Sequence, residues 1–95
     1  MNELDRLERT IRDLHGVRVT HLRSEPVTET FQGKVVWEGV VEVFVVHEHP
    51  GAGLAYAWSH ETDDGTRRYV AVLGIPPVLS AVDAVRASIA ARHKT

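Results

Sequence analysis

A chain of 95 residues, 43% apolar and 25% charged, has the make-up of one small globular domain that buries roughly 60–65% of its unfolded surface. Its net charge of −2 and pI near 6.3 supply no overall field for nucleic acid or an anionic membrane. It has no cysteine, which excludes disulfide staples, thiolate metal sites and cysteine chemistry.

A cysteine-free chain fits a reducing compartment, so the expected location is cytoplasmic. Residues 1–14 are dense in acid and arginine and lack the apolar stretch of a secretory leader. No apolar run approaches the roughly 20 residues of a membrane span. Arginine outnumbers lysine nine to two, the usage of a GC-rich bacterial genome.

In chain order, residues 3–15 are predicted helical. Leu4, Leu7, Ile11 and Leu14 fall on one stripe, Asn2 caps the start and Gly16 suits the left-handed position after the end. The stripe is narrow, like a coiled-coil seam, and also fits a helix lying on a sheet. Residues 17–23 predict a strand that Ser24-Glu25-Pro26 interrupts and residues 27–31 resume, because proline cannot donate to a ladder. Gln32-Gly33-Lys34 marks a turn. Residues 35–47 form the strongest strand, rich in valine with Trp37 and Phe44.

Residues 54–61 form the next strand, and Asp63-Asp64-Gly65 a hairpin turn, since aspartate and glycine tolerate positive φ. Residues 67–75 are the last strand, stopped by Pro76-Pro77. Ser80 with Asp83 opens a final helix on the pattern of a capping box, with Val82, Val85 and Ile89 as its apolar stripe. His93-Lys94-Thr95 gives it a basic, frayed end. Residues 1–95 thus predict a single α+β domain, α-β-β-β-β-α, with no internal repeat or linker. Short links make the four strands an antiparallel meander, with both helices packed on one face.

Neither face of residues 35–47 is plainly polar, whereas a sheet with one solvated face alternates cleanly. Pairing His47 with Leu54, and His60 with Arg67, gathers Trp37, Tyr56, Trp58 and Tyr69 on one aromatic face. Ala55, Ala57, Val70, Val72 and Phe44 then share the other. A one-residue slip would reverse these partners. With both helices on one face, the other is left apolar, and such patches mark interfaces or ligand sites. The expectation is a small non-catalytic binding protein, homodimeric through that face, with Trp37, Tyr56, Trp58 and Tyr69 as contact residues and a heterologous protein or small ligand as alternative partner. No cofactor is expected.

The alternatives start from individual motifs. In His47-Glu48-His49-Pro50-Gly51, alternate histidines point the same way, and a metal-assisted hydrolase would take His21 as third ligand. His60 is too far: opposite Val41, it would stand roughly 20 Å from His47. The bland reading is a strand end and a turn. Ser59-His60-Glu61 holds triad-type residues, but strand neighbours point to opposite faces. Gly51-Ala52-Gly53 lacks the lysine and helix of a phosphate loop. Glu38 and Glu42 share a face and suit an acidic pocket with Arg68, or a salt-bridged edge.

The element order is similar to that of double-stranded RNA-binding domains. Those domains grip phosphate with a lysine-rich start to the last helix. Here that stretch is Ser80-Ala81-Val82-Asp83-Ala84, with one acid and no lysine. Arg67, Arg68, Arg86 and Arg92 are the cations left for a patch, against a negative net charge.

Overall fold

The computed structural model describes residues 2–92. The predicted basic end at His93-Lys94-Thr95 lies outside them. The elements are α1 (Glu3–His15), β1 (Arg18–Phe31), β2 (Lys34–His47), β3 (Leu54–Glu61), β4 (Arg67–Leu73) and α2 (Ala81–Arg92). The strands form one antiparallel sheet in the order β1-β2-β3-β4, the meander expected from the short links. No helix among the described residues is long and apolar enough to cross a membrane.

Local chemistry sets the ends. The Asn2 side chain accepts from the Asp5 N–H at 2.8 Å, and Gly16 at φ 67° sends its N–H to the Arg12 carbonyl. At α2 the Ser80 hydroxyl accepts from the Asp83 N–H, and the Asp83 carboxylate accepts from the Leu79 N–H. Gln32 and Gly33 both have positive φ, 52° and 78°, as a two-residue turn of the I′ kind requires. The break expected at Pro26 does not occur. β1 is an outer strand with one neighbour, where a missing donor is tolerated.

The helices do not share a face. α1 buries Leu7 and Ile11 against Val17, Val19, Phe44, Val46, Ala55 and Ala57. α2 buries Ala81, Ala84 and Val85 against Val27, Val41, Val43, Tyr56 and Trp58. These are alternate residues of β2 and β3, so each helix covers one side of the sheet. The expectation of two helices on one face is corrected. Both faces of β2 are apolar, and one helix on each side removes both from water.

Register decides the rest. β2 meets β3 through Val45–Leu54 and Val43–Tyr56, two residues from the expected His47–Leu54 pairing. An even slip keeps every side chain on its face. β3 meets β4 through Ser59–Tyr69 and His60–Arg68, one residue from expectation. An odd slip reverses faces, so Tyr69 and Ala71 lie under α1 while Val70 and Val72 join Trp58 under α2. The cause is the turn after Glu61, closed by the Thr62 N–H to the Thr66 carbonyl and the Gly65 N–H to the Thr62 carbonyl.

β1 changes face part-way. Its partners run His21–Phe44 and then Arg23–Val43, which leaves Leu22 as an extra residue. Odd residues before this bulge, such as Val19, face α1. Odd residues after it, such as Val27, face α2.

Two outcomes follow. At Gly74 an added Cβ would meet the Leu54 carbonyl oxygen at 2.9 Å and the Tyr56 ring at 3.2 Å, and the Gly74 N–H already bonds that oxygen at 2.7 Å. Gly74→Ala is expected to cost about 1–3 kcal/mol in urea unfolding, because backbone cannot yield as a side chain does. Asp64 accepts from the Thr62 and Thr66 hydroxyls and the Thr66 N–H, which hold its pKa down at about 2. A depressed carboxylate stabilises above its unfolded pKa, and that contribution is lost as pH falls through about 2. Carboxyl NMR titration should find Asp64 titrating near 2, well below the ordinary aspartate value.

Candidate functional site

The β1 and β2 strands are each 14 residues long, and β3 only eight. The β2–β3 ladder ends at Glu42–Ala57. Beyond it the end of the β1–β2 hairpin continues as a two-stranded arm. Large apolar side chains there meet solvent: Phe31 is 65% exposed, Val35 59%, Val36 45% and Val40 51%.

Along the arm a groove of about 670 Å³ runs between the hairpin and α2, lined by Glu29, Phe31, Val36, Arg86, Ile89 and Ala90. Its polar element is one ion pair. The Arg86 guanidinium donates through Nε to the buried Glu29 carboxylate, which also accepts from the Thr30 N–H at 3.1 Å. That hydrogen bond, reinforced by the carboxylate charge, makes Arg86 more basic than usual. The pair spans from β1 to α2 and ties the arm to the body.

A second cleft, about 440 Å³, opens where β2 and β3 part. Trp37 folds back over Gly39, where an added Cβ would lie 3.0 Å from the indole ring. This brings Trp37 edge-on to Trp58 with ring centroids 5.8 Å apart. The contact closes the α2 side of the cleft with an aromatic bridge.

The four aromatic residues singled out from the sequence therefore separate. Tyr56 and Trp58 are each 2% exposed and lie in the core beneath α2. Burial raises the Tyr56 phenol above its usual range, with the Glu25 charge adding to the shift. Trp37 is half-buried at the edge of that core. Tyr69 is on the α1 side, where its hydroxyl accepts from Arg6 at 3.1 Å, and the bond makes Arg6 more basic. The open aromatic face expected from the sequence is closed by α2, because Ala81 and Ala84 let the helix approach closely.

The histidines also separate. His21 pairs with Phe44 and bonds the Glu42 carboxylate at 2.8 Å, on the α1 side. His47 bonds the Thr20 hydroxyl at 2.7 Å, on the other side. His49 accepts from the Gly51 N–H of its own turn. Among the described residues no three His, Asp or Glu side chains are placed to hold a metal ion. The set His21, His47 and His49 does not converge, because the Leu22 bulge and strand alternation aim its members apart.

The arginines do not form one patch either. Arg67 and Arg68 alternate on β4, Arg67 bonding Ser59 and Arg86 bonding Glu29. The Arg92 side chain lies outside the described part. Glu38 bonds Thr28, and Glu42 bonds Ser24 and His21, so both acids serve the β1–β2 ladder.

Comparison with protein-family models, with curated proteins and with solved structures returned no match. The arm and its groove are the features of the surface that most resemble a contact site. Neither stood out from the residues as a site. The signal that would have found them was a mismatch of length, two 14-residue strands beside one of eight.

The Glu29–Arg86 bond sets a third expectation. Arg86→Leu leaves a buried carboxylate short of a partner and should lower the urea midpoint of unfolding. Adding Glu29→Leu should recover part of that loss, because removing both partners avoids the orphaned charge.

Proposed function

We propose that this chain is a small non-catalytic interaction protein that self-associates, with the β1–β2 arm as its contact surface. The observation that carries this is the exposed pair Phe31 and Val36, set on a projecting hairpin beside an apolar groove, with Val35 and Val40 exposed on the hairpin's other face. Soluble monomers rarely expose contiguous apolar patches without use. Phe31 and Val36 belong both to the projecting tip and to the groove wall. A two-fold contact through them lets each copy present its tip to the groove of the other, as isologous interfaces require. The proposal includes a bacterial cytoplasm as the setting, on an arginine-rich, cysteine-free composition that fits a reducing compartment.

Light scattering behind size exclusion, over a range of concentrations, tests the reading. The wild-type protein should run near twice its 10.6 kDa chain mass. Phe31→Glu should run as a monomer with unchanged circular dichroism, since that side chain is 65% exposed and the fold does not need it. A wild-type monomer at every concentration would remove the proposal.

A further inference from the structure

The groove between the hairpin and α2 is polar at one end and apolar along the rest. Glu29 and Arg86 stand at the polar end. Phe31 lies two residues further along β1, and Ile89 and Ala90 lie one turn further along α2. Two strand residues and one helical turn each advance a wall by about 5–7 Å, so the two walls run side by side. Val36 joins them as the extra residue of a bulge, where the pairing skips from Glu29–Trp37 to Thr30–Val35. The volume of about 670 Å³ falls inside the roughly 300–1,000 Å³ of small-molecule sites, which are mostly apolar with a few placed polar groups.

What the polar end offers is N–H donors. Both Glu29 oxygens are engaged, Oε1 by the Thr30 N–H and Oε2 by the Arg86 Nε–H. The carboxylate is buried, whereas the Arg86 side chain is 63% exposed. Among the described residues the terminal Nη1 and Nη2 groups of Arg86 have no hydrogen-bond partner. Asp83, one turn earlier, accepts from the Leu79 N–H and forms no ion pair with Arg86. A guanidinium anchored through Nε keeps its outer fork for a second carboxylate, the planar partner that two parallel N–H groups fit. Glu29 holds that fork in place before anything binds, which lowers the cost of binding. A cationic head group would meet the charge of Arg86 itself.

We propose that this groove binds a free medium-chain fatty acid, one per chain. Its carboxylate lies on the outer fork of Arg86 and its tail on Phe31, Val36, Ile89 and Ala90. The apolar wall beyond Arg86 is about one helical turn long, so a tail of medium length covers it. Phe31 and Val36 also belong to the contact surface proposed above. Ligand and second copy therefore exclude each other, and the fatty acid releases the monomer by mass action. The release rests on the self-association reading, and the binding does not.

Calorimetric titration with octanoate tests the binding, beside acetate, which has the head group alone, and octylamine, which has the tail with the opposite charge. Octanoate should bind at one site per chain, and acetate and octylamine about tenfold or more weaker. Arg86→Gln keeps an N–H donor for Glu29 but loses the fork, and should weaken octanoate about tenfold or more. Ala90→Phe fills the groove from an exposed helix position and should abolish binding with circular dichroism unchanged. Equal binding of octylamine would overturn the recognition of an anion, and undiminished binding by Ala90→Phe would overturn the site. Light scattering with saturating octanoate separates this from self-association. A wild-type dimer should fall to the 10.6 kDa chain mass. A dimer that binds octanoate and stays a dimer would overturn the release and leave the fatty-acid site standing. A wild-type monomer that binds octanoate would remove self-association alone. A chain that neither binds octanoate nor changes mass at millimolar concentration would overturn the fatty-acid site, whatever its oligomeric state.

Discussion

β2 is apolar on both of its faces, and an antiparallel strand of that kind folds in water only if both are covered. Val41 and Val43 look one way, Phe44 and Val46 the other, and all four are buried. Each face takes a helix. On the α1 side the neighbouring strand offers Ala55 and Ala57, small enough for Leu7 and Ile11 to come down on them. On the α2 side the sizes reverse. Tyr56 and Trp58 rise from the sheet, and Ala81 and Ala84 of the helix make room for them. Large residues opposite small ones fill both layers without voids.

The same constraint explains what is left uncovered. A helix advances about 1.5 Å per residue and a strand about 3.3 Å. Helices of 13 and 12 residues therefore span roughly 20 Å, and the 14-residue β2 is roughly twice as long. Neither helix can reach both ends of the hairpin. β3 stops short as well, so the arm loses its neighbour and its roof together. Its valines and Phe31 are left largely exposed, with only the end of α2 near Phe31 and Val36. The polar groups within reach are already engaged, Glu29 by Arg86, Glu38 by Thr28 and Glu42 by His21 and Ser24. His21 and His47 serve this ladder, and His49 the turn beyond it.

Offsets in strand register are unequal in consequence. Pairing His47 with Leu54 misplaced β3 by two residues, yet Tyr56 and Trp58 kept their face. Pairing His60 with Arg67 misplaced β4 by one, and Tyr69 changed sides. At Leu22 no pairing rule was broken, but one inserted residue exchanged the two faces of β1. That bulge also decides the histidine cluster. His21 would share a side with His47 on unbroken alternation only in another register, and the actual one sends them apart. The candidate metal set depended on register, whereas the aromatic face lost only Tyr69 to register and is closed over Tyr56 and Trp58 by α2.

What the sequence by itself determined was local. Asn2 and Gly16 bound one helix, Ser80 and Asp83 start the other, Gln32-Gly33 and Asp63-Asp64-Gly65 turn the chain, and the short links make neighbouring strands antiparallel. Those interactions join residues a few positions apart, so spacing along the chain suffices to find them. Tertiary structure alone decided the registers, the bulges at Leu22 and Val36, the face each helix takes, and the point where β2 leaves β3. Each turns on how distant segments are aligned, often to within one residue. The energy that selects it comes from packing whole faces together, which no short stretch of sequence contains.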